Sequence, residues 1–209
     1  MNVQTAYTSW SATYDSDRNL TRDLDQEVTR QTFANLRFES ILEIGCGTGK
    51  NTALYRQIAQ RVLALDFSEA MIARAKEKVQ AGNVTFAVAD ITKLWPCRDR
   101  SADLVACDLV LEHIEHLDPI FAQAFGCLIP GGRFFVCELH PFKQYQGKKA
   151  KFQRAEQAIE VPAFVHHVSD FVHAAETNQM ALKRLREWWH VEDRNALPRL
   201  VSFLFEKPI

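Results

Sequence analysis

The sequence predicts an α/β fold in which a mostly parallel sheet of seven strands lies between two layers of helices. Between residues 40 and 140, short apolar runs of strand length alternate with stretches of helical period. The first apolar run ends in a glycine-rich turn, which is typical of a strand that turns sharply into a helix. Two further strand-like runs follow residue 180 and complete the sheet.

The composition is that of an ordinary globular domain. The chain has 209 residues, of which 47% are hydrophobic and 24% are charged, and its formal net charge is −1. This charge gives no indication of nucleic-acid or membrane binding, and no apolar run reaches the ~20 residues of a membrane-spanning helix. The first residues also lack the pattern of a secretory signal. We therefore expect a protein that works in the cytoplasm.

The cysteines agree with that compartment. Five are present, no two are spaced as C-x-x-C, and most lie in or beside apolar segments. An odd number of mostly buried thiols is typical of a reducing environment. They are Cys46, Cys97, Cys107, Cys127 and Cys137.

The elements can be placed in order along the chain. Residues 1–20 combine aromatic side chains with a polar run, which indicates either a segment docked on the domain or a lid over a site. Residues 20–36 have an apolar stripe of helical period. Strands are predicted at 40–44, 61–65, 84–88, 102–107, 134–137, 181–189 and 200–205. Helices are predicted at about 51–60, from Ser68, at about 119–128 and at about 169–178.

Three kinds of ligand are compatible with a strand, a glycine turn and a helix. A P-loop needs a glycine at residue 44 and a hydroxyl at residue 51, and this chain has Ile44 and Asn51 there. A dinucleotide fingerprint needs a third glycine at residue 50, which is Lys50. The third possibility, G-x-G-x-G after an acidic residue, matches the sequence E-I-G-C-G-T-G at residues 43–49.

Acidic residues end the next three predicted strands. Asp66 follows the glycine turn at about the spacing of a ribose-binding acid, and Ser68 is the better cap for the helix that follows. Asp90 ends the third strand, where the alternative is a turn-forming aspartate. Asp108 ends the fourth. Because the carboxyl ends of parallel strands meet at one edge of a sheet, these acids are expected to share a cleft.

These motifs together resemble the class I S-adenosylmethionine-dependent methyltransferases of the type 11/12-like, small-molecule branch. Residues 43–49 resemble the family's first motif, D-L-V with L-E-H-I in residues 108–114 resembles its fourth, and L-I-P-G-G at 128–132 resembles the turn before its fifth strand. The N/D-P-P-Y/F sequence of the base-modifying branch is absent, because Leu109 and Val110 replace the prolines. The resemblance implies a Rossmann-like seven-stranded sheet with an antiparallel C-terminal edge hairpin, and a small-molecule acceptor rather than nucleic acid.

The resemblance also assigns the cofactor, S-adenosyl-L-methionine, to particular residues. The glycine loop holds the methionine end, Asp66 the ribose, and Asp90 with Ile91 the adenine, while Tyr14 closes over the methionine end and Arg18 pairs with its carboxylate. The expected cofactor-binding residues are Glu43, Gly45, Cys46, Gly47, Gly49, Asp66, Phe67, Met71, Asp90, Ile91, Asp108, Tyr14 and Arg18.

Methyl transfer from a sulfonium is an in-line displacement, in which the protein supplies position and, for O–H or N–H acceptors, sometimes a base. A base active near neutral pH is most readily a histidine. The first candidate is His140 at the end of the fifth strand, with His166 or His167 behind it, and the second is His113. No zinc signature H-E-x-x-H is present, so no metal site is expected.

One methyltransferase domain over residues 1–209 is the simplest organisation. In it, residues 1–36 form a lid and helix region, 40–140 the cofactor-binding core, 141–180 a substrate-side insertion and helix, and 181–209 the edge hairpin. The insertion is basic, which fits either a solvated surface or a rim for an anionic substrate or carrier protein. Two other functions stay open: a nicotinamide-dependent oxidoreductase, and a non-catalytic domain that binds S-adenosylmethionine or its demethylated product.

Overall fold

The computed structural model of the protein describes residues 2–154, 157–193 and 196–209. Within these ranges the strands are β1 Phe38–Ile44, β2 Ala59–Asp66, β3 Val84–Val88, β4 Ala102–Asp108, β5 Leu128–Leu139, β6 Lys151–Arg154, β7 Gln157–Glu160, β8 Ala181–Trp188 and β9 Leu200–Glu206. The α-helices are α1 Val3–Trp10, α2 Leu20–Phe33, α3 Thr52–Ile58, α4 Glu69–Lys78, α5 Asp118–Cys127, α6 Pro141–Tyr145 and α7 Val168–Thr177. None of them combines the length and the apolar character that crossing a bilayer requires.

Seven strands form one sheet in the order β3-β2-β1-β4-β5-β9-β8. The pairs among β1 to β5 are parallel, and β9 is antiparallel to both β5 and β8. The predicted sheet with an antiparallel C-terminal pair is therefore confirmed. The chain crosses from β1 outward to β3 and then returns to β4, so the strand order reverses beside β1, and ligands of such sheets bind at this point.

The central strands are buried because helices cover both faces of the sheet. Ile41, Ile44 and Leu104 have no exposed surface, and neither has the pair of phenylalanines Phe134 and Phe203. Near-continuous apolar runs are typical of parallel strands that are covered on both sides. Two clusters of buried side chains, one on each face, fix the helices against the sheet.

The turn before the fifth strand differs from the prediction. The proline and two glycines of residues 130–132 were expected to end a helix, but α5 ends at Cys127 and β5 already begins at Leu128. The N–H of Gly131 donates to the carbonyl of Lys207 at 2.8 Å, and the N–H of Lys207 donates to the carbonyl of Gly132 at 2.9 Å. Residues from the far end of the chain therefore hold this turn at the edge of the sheet.

The predicted insertion contains structure that its polar sequence did not indicate. Helix α6 is followed by the hairpin β6–β7, and this hairpin packs against α1. The rings of Trp10 and Phe152 stack with their centroids 5.2 Å apart, and Ala6 and Val161 complete the contact. The N-terminal helix and the insertion thus form one layer, which reaches the sheet where Gln4 donates to the carbonyl of Phe67 at 2.8 Å.

The cysteines correct part of the sequence-based expectation. Cys97 and Cys127 are joined by a disulfide bond across 30 residues, with their Cα atoms 6.5 Å apart. The loop before β4 brings Cys97 back to the end of α5, and a search for local C-x-x-C spacing does not find such a pair. Cys46, Cys107 and Cys137 are free and buried, as expected for unpaired thiols.

Candidate active site

The glycine turn joins β1 to α3 and is shaped by positive backbone angles. Gly45, Gly47 and Gly49 have φ values of +74°, +53° and +79°. A Cβ atom on Gly45 would come within 2.1 Å of a methyl group of Val110, whereas no atom lies within 4 Å of the corresponding position on Gly47. Gly45 is therefore required by packing as well as by conformation, and Gly47 leaves its side of the turn open to a ligand.

Asp66 connects this turn to the next helix. Its carboxylate accepts hydrogen bonds of 2.9 Å from the N–H of Gly47 and from the N–H of Ser68. Burial raises the pKa of Asp66 to about 6, although these two backbone donors oppose the rise. Ser68 caps α4, as the sequence predicted, so Asp66 is not needed as a cap.

A cavity of about 370 Å³ opens at the carboxyl ends of β2, β3 and β4 and is covered by α1; we call it the wide cavity. Its volume lies in the range of ligand sites, roughly 300–1,000 Å³. Of the residues expected to bind the cofactor or to act in catalysis, it is lined by Tyr14, Gly45, Gly47, Asp66, Phe67, Asp90, Ile91, Asp108 and His113. The strand order therefore brings most of the predicted site into one space.

Asp90 has a local role in addition to its place in this wall. Its Oδ1 accepts from the N–H of Thr92 at 2.9 Å and from the hydroxyl of Thr92 at 2.7 Å. This is the turn-forming alternative that the sequence left open. Because both bonds use Oδ1, the other carboxylate oxygen remains available to a ligand in the wide cavity.

A smaller cavity of about 50 Å³, the narrow cavity, lies beside the glycine turn and shares Tyr14, Gly45, Gly47 and Asp108 with the wide one. Its walls carry charged groups with unused hydrogen-bonding capacity. Among the residues that the structure describes, four buried side-chain atoms around this cavity have no hydrogen-bond partner. They are Nε of Arg22, Oδ1 of Asp25, Oδ1 of Asn51 and Oδ1 of Asp108.

The remaining bonds of these side chains fix their positions. Asn51 donates to Asp25 at 2.8 Å, and the Tyr55 hydroxyl donates to Asp108 at 3.0 Å. Burial raises the pKa of Asp25 to about 6, and burial together with the nearby Asp25 raises that of Asp108 well above its ordinary value. Two acids without a cation between them are costly to bury. A ligand ammonium group in the narrow cavity would satisfy their free oxygens.

Arg22 supplies the opposite charge on the same cavity. Its guanidinium donates to the carbonyls of Tyr14 and, at 2.8 Å, Asp17, and it lies 4.0 Å from the centre of the Tyr14 ring. Its Nε has no partner within the described part of the chain. A buried guanidinium beside two buried carboxyl groups is complementary to an amino-acid zwitterion. The charges of the narrow cavity thus suit an amino-acid end, and the wide cavity contains the acids that were expected to bind a nucleoside.

Arg22 lines the narrow cavity, whereas Arg18, which was expected to pair with the cofactor carboxylate, does not. The guanidinium of Arg18 pairs with Glu192 at 2.5 Å, and its side chain is 74% exposed and lines neither the wide nor the narrow cavity. The reason is the start of α2 at Leu20, which turns Arg22 inward on the first turn of the helix. Arg18 lies before that helix and faces the solvent.

Four other expected cofactor residues lie at the edge of the site or outside it. Glu43 is buried and accepts from the Thr52 hydroxyl at 2.5 Å; burial raises its pKa to about 8. Cys46, with Glu43, lines the narrow cavity. Gly49 packs against α4. Met71 of α4 is 1% exposed and lines neither the wide nor the narrow cavity. Gly49 and Met71 therefore pack behind the turn, outside the wide and narrow cavities.

His113 lies in the wide cavity with both ring nitrogens engaged. Nδ1 lies 2.7 Å from the carbonyl of Pro162, and because a carbonyl only accepts, Nδ1 carries the proton. Nε2 is then an acceptor, and the hydroxyl of Tyr7 donates to it at 2.8 Å. Burial lowers the pKa of His113, so the ring is neutral at pH 7. Tyr7, which the sequence did not single out, is thereby linked to a group that can take its proton.

His140 does not lie in either cavity. Its Nε2 is 2.9 Å from Glu187, and its Nδ1 accepts from the N–H of Phe142 at the start of α6. It is 2% exposed. The expectation of a catalytic base at this position therefore lacks support: the ring caps a helix and ties β5 to β8. His166 bonds the carbonyl of Ile114, and His167 bonds Tyr145, so neither replaces it.

The loop after β4 is held in place by a buried acid. Glu138 of β5 accepts from the N–H of Val110 at 2.9 Å and from the N–H of Leu111 at 2.8 Å. Burial, and to a lesser degree Glu112, raise the pKa of Glu138 to about 8. The same loop carries Glu112 and His113, so Glu138 positions both. From the sequence, Glu138 was a candidate to orient a base at the end of β5 or to bind substrate, and the structure shows that it holds the loop after β4.

One group of residues has the makeup of an ion site. Asp25, Asp108 and Cys137 each bring one ligand atom to within 4.8 Å of the others. Two of these residues also face the narrow cavity, where an ammonium group would serve the same acids. The expectation that the protein binds no metal stays a prediction.

The fold is Rossmann-like, and its site places charged groups that suit an amino acid beside acids that suit a nucleoside. The family model described as "Methyltransferase domain" matches residues 42–136, which run from β1 into β5. The N-methyltransferase NodS from Bradyrhizobium japonicum, solved in complex with S-adenosyl-L-homocysteine, has the same fold, with a TM-score of 0.75, 17% identity and full coverage of both chains.

Curated relatives are similar over three quarters of the chain. The biotin biosynthesis bifunctional protein BioHC of Cellvibrio japonicus is 29% identical over 160 residues, 76% of this chain and 31% of that protein. A malonyl-[acyl-carrier protein] O-methyltransferase of Bacillus cereus is 27% identical over 161 residues, 74% of this chain and 58% of that protein. The chain thus matches less than two thirds of the length of either relative. Over residues 42–136 the chain is similar to the methyltransferase domain, and this similarity favours S-adenosylmethionine as the cofactor.

Proposed function

We propose that this protein transfers a methyl group from S-adenosylmethionine to a small-molecule acceptor. The observation that carries the proposal is the pair of joined cavities. The narrow one offers a buried guanidinium and two buried acids to an amino acid, and the wide one offers Asp66 to a ribose. When bound, the cofactor supplies a methyl group on a positively charged sulfur, which is ready for in-line displacement.

Different residues of the chain then bind different parts of the cofactor. Arg22 binds the carboxylate of the methionine end, and Asp25 and Asp108 accept from its ammonium group. Asp66 accepts from the ribose hydroxyls, and Asp90 and Ile91 border the adenine. Phe67 and Tyr14 give apolar contact on either side. Each of these groups is already fixed by a strand end, a helix start or a hydrogen bond, so little order is lost on binding.

For an acceptor with an O–H or N–H group, we assign the base to the pair Tyr7 and His113. Tyr7 lines the wide cavity, and its hydroxyl donates to Nε2 of a neutral histidine. The Tyr7 oxygen can therefore accept the proton of the acceptor as it passes its own proton to His113.

The small-molecule nature of the acceptor rests on two arguments. The prolines of the base-modifying branch are missing after β4, and the acceptors in the names of relatives include a malonyl group on an acyl-carrier protein and demethylmenaquinone. We also propose that residues 1–209 act as one domain in the cytoplasm, with 1–36 as lid and helix region, 40–140 as cofactor core, 141–180 as substrate side and 181–209 as edge hairpin.

A radiolabelled methyl donor tests the activity. The protein is incubated with methyl-labelled S-adenosylmethionine and a small-metabolite extract. The label is then followed in the small-molecule fraction. The proposal predicts label in an extract compound. Tight binding of the donor without any transfer, across extracts of several sources, would favour the non-catalytic binding domain instead.

A further inference from the structure

A third cavity, of about 390 Å³, adjoins the wide cavity and shares Tyr7, Tyr14 and Leu109 with it. We call it the basic cavity because seven of its lining residues are lysine or arginine and one is acidic. The basic residues are Arg18, Arg22, Lys143, Lys148, Lys149, Lys151 and Arg199, and the acid is Glu112. The insertion supplies four of these seven. The side chain of Arg154, the last basic residue of the insertion, lies outside the described part.

Some of these charges are already neutralised. Arg199 pairs with Asp193 at 2.6 Å, Lys143 lies 3.7 Å from the same acid, and Arg18 pairs with Glu192. The three lysines at 148, 149 and 151 are different, since no acidic group lies within 4.0 Å of their ammonium groups among the residues that the structure describes. Within that part of the chain, three cations therefore face one cavity without an acidic partner.

The rest of the wall is apolar or aromatic. Leu20, Leu109, Leu139 and Ala150 line the cavity, and Trp10 adds an aromatic surface. A ligand that suits this wall carries a negative group toward the lysines and an apolar body along the leucines. Glu112 faces the same space, and its Oε2 has no hydrogen-bond partner within the described chain. An acceptor group with a proton to give would satisfy that oxygen.

The position of the cavity relates it to the reaction. Tyr7, Tyr14 and Leu109 line both the basic cavity and the wide cavity, so the two cavities adjoin at these residues. Tyr7 is the residue that the proposed function uses for proton transfer. A molecule held in the basic cavity therefore lies next to Tyr7, which also lines the wide cavity.

We propose that the basic cavity is the acceptor site and that the acceptor is a small organic anion, with a carboxylate or phosphate group bound by the lysines of residues 148–151. This inference rests on the proposed function, because only a methyltransferase has a methyl acceptor. The preference of the cavity for anions can be measured independently of that function. A basic pocket of this size, enclosed by α1 and the insertion, suits a small molecule, and the net charge of −1 gives no general attraction to polyanions.

Three probes of equal chain length test the charge preference: hexanoate, hexyl phosphate and hexylamine. Each is titrated by calorimetry into the protein, with and without saturating S-adenosyl-L-homocysteine. We expect the anions to bind at least about tenfold more tightly than hexylamine, and binding to weaken as salt is added. A stronger response to hexanoate or to hexyl phosphate identifies the anionic group. Equal or tighter binding of hexylamine would overturn the inference.

A charge-matched pair of variants locates the site. The triple variant Lys148→Ala, Lys149→Ala and Lys151→Ala removes three charges at the cavity, and the control Lys76→Ala, Arg98→Ala and Lys183→Ala removes three exposed charges elsewhere. We expect anion affinity to fall about tenfold in the first, as three exposed ion-pair contacts are lost, and to stay within about twofold in the control. Equal losses in both variants would overturn the assignment to this cavity.

Binding of S-adenosyl-L-homocysteine separates the two proposals. If the cavity lysines act only on the acceptor, the triple variant binds this ligand as the natural protein does, which also shows that the variant is folded. If the natural protein does not bind it at all, the proposed function fails. The titration of the anions without S-adenosyl-L-homocysteine would still test the anion preference independently.

Discussion

The hydroxyl of Tyr7 donates a hydrogen bond of 2.8 Å to Nε2 of His113, and this bond joins the N-terminal helix to the loop after β4. Residues 106 positions apart in the sequence thus meet at the wall between the wide and basic cavities. The bond fixes the tautomer of the histidine, because the carbonyl of Pro162 holds the proton on Nδ1. Tyr7 lines both cavities, whereas His113 lines only the wide one.

The variant Tyr7→Phe tests this arrangement. It removes the hydroxyl and keeps the ring, so we expect turnover to fall by about 10²-fold or more while the dissociation constant of S-adenosyl-L-homocysteine changes by less than about threefold. Initial rates and calorimetry measure the two quantities. Tyr145→Phe is the control, because Tyr145 also bonds a histidine but lines none of the three cavities. An unchanged rate in Tyr7→Phe would remove Tyr7 from the reaction.

Arg22→Gln should weaken binding of the methionine end alone. Loss of a charge-assisted bond of about 1.5–3 kcal/mol predicts a dissociation constant for S-adenosyl-L-homocysteine that is about 10- to 100-fold higher. Adenosine lacks the amino acid and should bind as before. Arg18→Gln is the matched control and should change neither affinity, because Arg18 pairs with Glu192 in the solvent. Equal losses for both ligands in Arg22→Gln would indicate unfolding rather than a lost contact.

Asp66→Ala should weaken the binding of both S-adenosyl-L-homocysteine and adenosine. The carboxylate accepts from Gly47 and Ser68 and faces the wide cavity, so its removal takes away the ribose contact and loosens the glycine turn. We expect a loss of ~1–3 kcal/mol for S-adenosyl-L-homocysteine and a similar loss for adenosine. This pattern differs from that of Arg22→Gln. An unchanged dissociation constant for either ligand would exclude the ribose role.

Glu138→Gln should change how stability depends on pH. Burial raises the pKa of Glu138 from its ordinary value near 4.5 to about 8 in the folded protein, so the folded state binds this proton more tightly than the unfolded state. Its contribution is fully present below about pH 4.5 and is lost as the pH rises through 8. Urea unfolding from pH 5 to pH 9 should therefore show the free energy of unfolding declining in the natural protein and declining less in the variant. Parallel curves would contradict the raised pKa.

The sequence indicated the sheet because its signals are local. Apolar runs separated by turns and helical patterns gave all seven strands to within a few residues, apart from the early start of β5, and the acids at the ends of β2, β3 and β4 met in one cavity as parallel strands require. The glycine turn could likewise be recognised because its positive angles restrict the residue type.

The other features of the site depend on contacts between residues that are far apart in the sequence, and no local pattern predicts such contacts. Arg22 was overlooked because it lies in an amphipathic helix among other charges, and only the turn of α2 aims it at the narrow cavity. His140 lies at the end of a strand, where a base was expected. Its Nε2 is instead hydrogen-bonded to Glu187 of β8, far along the sequence. The polar insertion gave no sign that its hairpin would pack on α1 and close a basic cavity.

The most direct test of the account is calorimetry with three ligands, S-adenosyl-L-homocysteine, adenosine and NADH, on the natural protein. The joined cavities predict that S-adenosyl-L-homocysteine binds most tightly, that adenosine binds more weakly because the narrow cavity stays unfilled, and that NADH gives no heat of binding. Binding of NADH together with no binding of S-adenosyl-L-homocysteine would contradict the central claim.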